Sequence, residues 1–200
     1  MSLHPTAAAL LSTWFGDEEA QIGEVSPRWF RKDPAFDAML LERFGAHILP
    51  ATAGAFGDWE RSPEGALALV LLLDQLPRNC FRGDPRGFAS DAAAREVCHR
   101  ALAQGHDRMV IAPKRAFFYM PLMHSEQVAD HRLALQVFEA LEMSARGGPF
   151  HGLVRGNLEY QRMHTAIIHR FGRYPHRNAV LGRESSAEEL AFLQQPGSSF

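Results

Sequence analysis

Lysine is almost absent from this chain of 200 residues. It occurs only at Lys32 and Lys114, so 19 of the 21 basic side chains are arginines. Arginine offers a planar bidentate fork where lysine offers a point charge. The chain is also rich in alanine, and genome base composition would produce both biases, so the scarcity carries little functional weight by itself. Cysteine is nearly missing as well. Cys80 and Cys98 form neither a disulfide framework nor a zinc pattern, which fits a reducing compartment. Long apolar runs are lacking. The strongest, ALALVLLL at Ala66–Leu73, is far too short to span a bilayer. The opening stretch MSLHPTAAALLSTWFGDEEA has no basic n-region and no clear cleavage site, so no signal peptide is expected. A cytoplasmic protein without membrane association is the expectation. There is no large excess of charge of either sign: the net charge is −2 and the pI about 6.5, which excludes a general nucleic-acid coat.

Strand signals are lacking too. No Asn-Gly hairpin and no alternating run of β-branched residues occurs. Helix signals dominate instead. Asp33-Pro34, Ser62-Pro63 and Asp84-Pro85 each place a capping side chain before a proline at the first helical position. Ser185 and Ser186 stand three residues before Glu188 and Glu189, as in a capping box. ALALVLLL contains one β-branched residue, Val70, and reads as a helix buried nearly all round. With 46% hydrophobic residues the chain supports a sizeable core. An all-α single domain is expected over residues 1–200, its core about 5–195, with about seven to nine helices. No fixed-period repeat is visible.

The candidate chemistry lies where apolar helices end. Asp74 and Gln75 close the most apolar segment, and a carboxylate there needs a partner. Pro77 is expected to stop the helix and leave Arg78 and Asn79 on a turn. An echo follows: LPRNCFRG at Leu76–Gly83 and YPHRNAVLGR at Tyr174–Arg183 each carry proline and then Arg-Asn. The region His151–Arg183 holds Arg155, Arg162, Arg170, Arg173, Arg177 and Arg183 against Glu159 alone, an excess that suits an anion. RAFFYMPLMHSE, framed by Pro113 and Pro121, reads as irregular and places His124, Ser125 and Glu126 at a helix start. His124 and Glu126 are candidate acid/base residues. Two structural readings compete: arginines and asparagines can satisfy orphan helix ends, and Ser125 with Glu126 can be a plain N-terminal cap. Trp14-Phe15 and Trp29-Phe30 read as core.

Metal binding is not expected. There is no H-E-x-x-H, and His124 and His131 would stand about 10 Å apart along one helix. P-loop, dinucleotide and nucleophile-elbow motifs are absent as well, and no cofactor is expected.

Taken together, ALALVLLLDQLPRNCFRGDPRGFASD, FFYMPLMHSE and FGRYPHRNAVLGRESSAEELAFL, with Trp14-Phe15 and DPAFD ahead of them, resemble the bacterial family catalogued as domain of unknown function 924. The resemblance covers nearly the whole chain. It implies an all-helical fold of the tetratricopeptide-repeat-like type and brings no catalytic residues with it. Asp74, Gln75, Pro77, Arg78, Asn79, His124, Ser125, Glu126, Pro175, His176, Arg177 and Asn178 match its signature positions.

The expected function is binding of an anionic small molecule or a peptide carboxylate. The expected site comprises Asp74, Arg78, Asn79, His124, Glu126, Arg173, His176, Arg177 and Asn178. The alternatives are a hydrolase or transferase using His124 or Glu126 as acid/base, and an interaction scaffold whose polar motifs are clasps. No nucleic acid or membrane partner is expected, and a homo-oligomer is compatible with the sequence.

Overall fold

The computed structural model describes residues 3–198, so the outermost ends of the expected domain, residues 1, 2, 199 and 200, lie outside the described residues. Among the described residues the chain is helical, with no strand. In order the helices are α1 (Pro5–Phe15), α2 (Ile22–Trp29), α3 (Pro34–Thr52), α4 (Pro63–Val70), α5 (Leu76–Cys80), α6 (Asp91–Ala103), α7 (Ala112–Met123), α8 (Val128–Ala145), α9 (His151–Phe171) and α10 (Ala187–Leu193). Helices α4 and α5 run into one another through a π-helical turn at Leu71–Gln75, which makes nine continuous helices among the described residues. No described helix is long and apolar enough to cross a membrane.

Local chemistry sets the starts. Asp33 accepts hydrogen bonds from the amides of Ala35 and Phe36 at 3.1 Å each, and Ser62 accepts from Gly65 N at 3.1 Å. Ser186 and Glu189 form both arms of a capping box. Gly65 is required for a second reason: a Cβ there would stand 2.1 Å from the carbonyl oxygen of Trp59.

The rod formed by α4, the π turn and α5 is the axis of the molecule, touching α1, α3, α6 and α7. Every residue from Gly65 to Pro77 is buried. Facing it, Phe117 of α7 collects Trp14, Phe15 and Trp29 at ring-centroid distances of 5.8, 5.3 and 4.9 Å. The main core cluster extends from Ala7 to Leu158, and a smaller one gathers Ile167, Ile168 and Tyr174 beside Phe171 and Phe192.

Three expectations are corrected. Pro77 does not end the helix. The hydrogen bonding shifts to the wider π spacing, with Leu76 N bonded to Leu71 O, and the rod continues to Cys80. The carbonyl that Pro77 deprives of an α-helical donor is that of Leu73, and the Ser90 hydroxyl donates to it at 2.6 Å. Arg78 and Asn79 therefore project from a helix, not from a turn. The segment opened by Asp84-Pro85 is a short 3-10 turn, Pro85–Phe88, and α6 begins only at Asp91. The stretch around Pro113 and Pro121 is helix α7, with Pro113 in the first turn, where its missing N–H has no helical partner to lose. His124 thus lies at the C-terminal end of α7, not at the start of the next helix.

Replacing Ser90 by alanine leaves the Leu73 carbonyl buried without a donor. The expected effect is a loss of about 1–3 kcal/mol in unfolding free energy by urea titration, with an unchanged m-value.

Candidate functional site

The site begins with Asp74, which is fully buried within the π turn. Its carboxylate takes three donors. Gln75 Nε2 donates to Oδ2 at 2.6 Å, His124 Nδ1 lies 2.8 and 3.0 Å from the two oxygens, and Arg78 Nη1 lies 3.2 Å from Oδ1. Arg78 also donates to the Asp74 carbonyl at 2.7 Å, closing one helical turn on itself. Burial alone would raise the pKa of Asp74. The charge of Arg78 and the His124 contact outweigh it and hold the group well below the usual carboxylate range. His124 is shifted downward, because burial and the repulsion of Arg78 exceed the pull of Asp74. At neutral pH the pair is a carboxylate and a neutral imidazole whose Nδ1–H is held by Asp74. Among the described residues the ring's hydrogen bonds run through Nδ1, and 16% of the side chain is exposed, so Nε2 is the end left for another group.

A second carboxylate joins the two halves of the echo. Asp91, in the first turn of α6, is 2.8 Å from Arg78 Nη1 through Oδ1 and accepts from Arg78 Nη2 at 2.9 Å through Oδ2. Arg177 Nη1 reaches the same Oδ2 at 3.4 Å. Arg78 and Arg177, 99 residues apart, thus share one acid. Their neighbouring asparagines are buried and turn away from Asp91 to anchor different elements. Asn79 Nδ2 donates to Asp37 of α3 at 2.7 Å, and Asn178 Nδ2 donates to Ser185 at 3.0 Å.

Arg177 is the least satisfied group. It is 6% exposed. Its guanidinium lies over the Tyr174 ring at 4.3 Å and the Phe88 ring at 4.9 Å, and its buried Nε has no hydrogen-bond partner. Burial and the nearby Arg78 pull its pKa down to about 10.

The turn carrying Arg177 is held by Glu126. Glu126 accepts from Arg183 Nη1 at 2.6 Å, from Arg183 Nη2 at 2.9 Å and from the amide of Tyr174 at 2.8 Å. Ser125 accepts from Gln127 N at 3.0 Å and donates to the buried Asp130 at 2.6 Å. Beneath the turn stand buried histidines. His131 Nε2 lies 2.8 Å from the Ser125 carbonyl, so it is the donor, and Gln161 Nε2 faces His131 Nδ1 at 3.1 Å. His164 sits 5.6 Å from Tyr174 and 6.4 Å from His124 between ring centroids. Burial depresses His164 to about 3 and His176 to about 4. Among the described residues no group of three or more His, Cys, Asp or Glu side chains is placed to hold a metal ion.

The structure therefore brings Asp74, Arg78, His124, Glu126 and Arg177 into one neighbourhood, and His176 joins it through Tyr174 at 5.5 Å. Arg173 faces away, forked onto Glu189 at 2.7 and 2.8 Å. Asn79 belongs to the Asp37 cluster, where Arg82 Nε also donates at 2.6 Å. Asp91, Phe88 and Tyr174 are members that sequence reading did not single out, and His131 is considered there only as a metal ligand. Asp91 is disguised as an ordinary first-turn acid, and only its spacing after Ser90 hints that α6 starts there.

A profile of a family of bacterial proteins of unknown function, DUF924, matches residues 10–197. A solved structure of a protein of unknown function from Agrobacterium tumefaciens is 36% identical, covering 94% of this chain and 96% of that chain with a TM-score of 0.81. A comparison with curated proteins gives no match.

Two outcomes follow from this geometry. Asp74→Ala leaves Arg78 and the His124 N–H without their buried acceptor. The expected loss is about 3–5 kcal/mol in unfolding free energy, whereas a change within about 0.5 kcal/mol would place Asp74 on the surface. The second concerns pH. A histidine depressed in the folded state is protonated preferentially in the unfolded one, near 6.5. Its effect is absent above that pH and destabilises as pH falls toward the folded value. His164 and His176 should each remove about 2 kcal/mol by pH 5. Denaturant titrations at pH 7.5, 6 and 5 should show stability falling with pH, and a flat or rising profile would contradict neutral buried histidines.

Proposed function

The chain belongs to the DUF924 family of bacterial proteins of unknown function, and we propose that its Asp74–His124–Arg177 neighbourhood binds a small molecule through an oxyanion group. The observation that carries this reading is Arg177. A guanidinium with five donors is buried, and its one carboxylate contact is 3.4 Å from an oxygen that Arg78 already holds at 2.9 Å. Leaving a charged group so poorly matched is unfavourable unless an incoming acceptor completes it. A carboxylate or phosphate matches the planar fork in two hydrogen bonds. The aromatic rings of Tyr174 and Phe88 fix the plane of that fork.

His124 supplies the second contact. With its Nδ1–H held by Asp74, Nε2 carries a lone pair and accepts a hydrogen bond. The ligand therefore combines an oxyanion with a donor, such as a hydroxyl, a few ångströms away. A compact hydroxy acid or phosphate monoester fits this description. A peptide carboxylate is the wider variant of the same chemistry. A cytoplasmic protein with a tetratricopeptide-repeat-like helical array is the setting that suits this function.

One observation favours a second reading, a hydrolase or transferase. A buried carboxylate that fixes the tautomer of a neutral imidazole is the arrangement that prepares a general base, with Nε2 able to take a proton from water. Glu126 is less suited to that role, because Arg183 and Tyr174 N already occupy its oxygens.

The test is a thermal-shift series with inorganic phosphate, phosphorylated metabolites and hydroxycarboxylates on wild type, Arg177→Lys, His124→Gln and the surface control Arg155→Gln. A true ligand adds about 2.7 kcal/mol at a hundredfold excess over Kd. The shift should vanish in Arg177→Lys, which keeps the charge and loses the fork, and persist in Arg155→Gln. If no anion stabilises the wild type, the cluster is a clasp. Hydrolysis of a chromogenic ester by wild type that is lost in His124→Gln would favour the second reading.

A further inference from the structure

A different part of the molecule carries an independent site. An open cleft of about 460 Å3 lies between α1, the connection to α2, α2 itself and α3. That volume falls within the range of roughly 300–1,000 Å3 common for small-molecule sites. Its polar lining comes from Ser12 and Thr13 on α1, Gln21 at the start of α2, Arg28 near the end of α2 and Arg43 on α3, with Met39 supplying apolar wall. None of these residues touches the Asp74 neighbourhood.

The balance of donors and acceptors in this lining is one-sided. Thr13 donates its hydroxyl proton to the Ala9 carbonyl at 2.7 Å and accepts from Arg43 Nη1 at 2.9 Å. Gln21 Oε1 is taken by the amides of Asp17 at 2.7 Å and Glu18 at 3.1 Å, which leaves its NH2 group over. Asp17 accepts from the Ser12 hydroxyl and is not part of the lining. The two guanidiniums meet no carboxylate among the described residues. Among the described residues Arg43 bonds Thr13 and, weakly, the Met39 sulfur at 3.9 Å, and Arg28 lies over the Phe36 ring at 5.9 Å. Several arginines elsewhere are matched to acids, among them Arg82 to Asp37, Arg100 to Glu60, Arg146 to Glu142 and Arg173 to Glu189. Two exposed arginines from separate helices line one cleft whose lining carries no carboxylate, so an anion entering it meets two guanidiniums able to take oxyanion groups.

We propose that this cleft binds a small organic or inorganic anion bearing two oxyanion groups, one for Arg28 and one for Arg43. The shared chemistry is a pair of phosphate or carboxylate groups, and two probes distinguish them: inorganic pyrophosphate and citrate. The measurement is isothermal titration calorimetry of the full chain with each probe, using wild type, Arg28→Gln, Arg43→Gln and Arg177→Lys. Both cleft substitutions are at exposed positions, so folding is expected to survive, and circular dichroism checks it. Wild type is expected to bind at least one probe, with each cleft variant weakened about tenfold or more, equivalent to about 1.4 kcal/mol. Any binding component lost in Arg177→Lys belongs to the site proposed above, and the cleft component is the one that persists in that variant and is lost in the cleft variants. Absence of binding to both probes up to about 10 mM overturns the proposal, since weaker contacts are worth under about 3 kcal/mol. Binding that is undiminished in the Arg28→Gln/Arg43→Gln double variant also overturns it.

Discussion

A carboxylate buried in the most apolar helix of the molecule organises everything around it. Asp74 sits where each neighbouring residue from Gly65 to Pro77 is buried, and an ion in such a place is tolerated only when it is paired and hydrogen-bonded. Its partners come from three places in the chain. Arg78 is one turn along the same rod, Gln75 is adjacent, and His124 arrives from the end of α7. Arg78 then needs a second acid and draws in Asp91, and Asp91 draws in Arg177. One desolvated charge thereby connects α4, α5, α6, α7 and the segment after α9. Each link is stable only because the next exists, which is the condition under which removal of one member is felt throughout a network.

The π turn is part of the same solution. An α-helical Leu71–Cys80 would meet Pro77 with a clash and an orphaned carbonyl. The wider turn absorbs the proline, and Ser90 satisfies the freed Leu73 carbonyl. Ser90 is the residue just before α6, so that bond also fixes the start of the helix at Asp91. A distortion imposed by a single proline is thus coupled to the placement of the acid that both arginines use. π turns recur at functional sites for this reason: they re-aim side chains without breaking the helix.

The surroundings of Arg177 differ from those of Arg78 in a way that separates clasp from ligand group. Arg78 has two carboxylates and a carbonyl within 3.2 Å. Arg177 has one distant oxygen, two aromatic faces and a buried Nε with no acceptor. Burial holds the nearby His164 and His176 neutral at neutral pH, so the positive charge of this neighbourhood comes from Arg78 and Arg177. The Agrobacterium protein, similar over nearly its full length, has the same fold.

The sequence by itself determined the helical class, the caps at Asp33, Ser62 and Ser186, the core placement of Trp14, Phe15 and Trp29, though not of Phe30, which the structure leaves exposed, and the need of Asp74 for an arginine. These follow from short-range rules: a capping side chain binds an amide two or three residues away, and an ion in an apolar run needs a counter-ion. It also marked the two Arg-Asn segments as related. Tertiary structure alone decided that their arginines meet on Asp91 while Asn79 and Asn178 face elsewhere, and that Arg173 is consumed by Glu189. It alone showed Pro77 and Pro121 inside helices. Packing energy spread over a buried rod exceeds the local penalty of a proline, and that sum depends on partners far away in sequence. The cleft arginines, Arg28 and Arg43, carried no local signal at all. An unmatched charge is defined by the acids that are not near it in space, and no stretch of sequence contains that information.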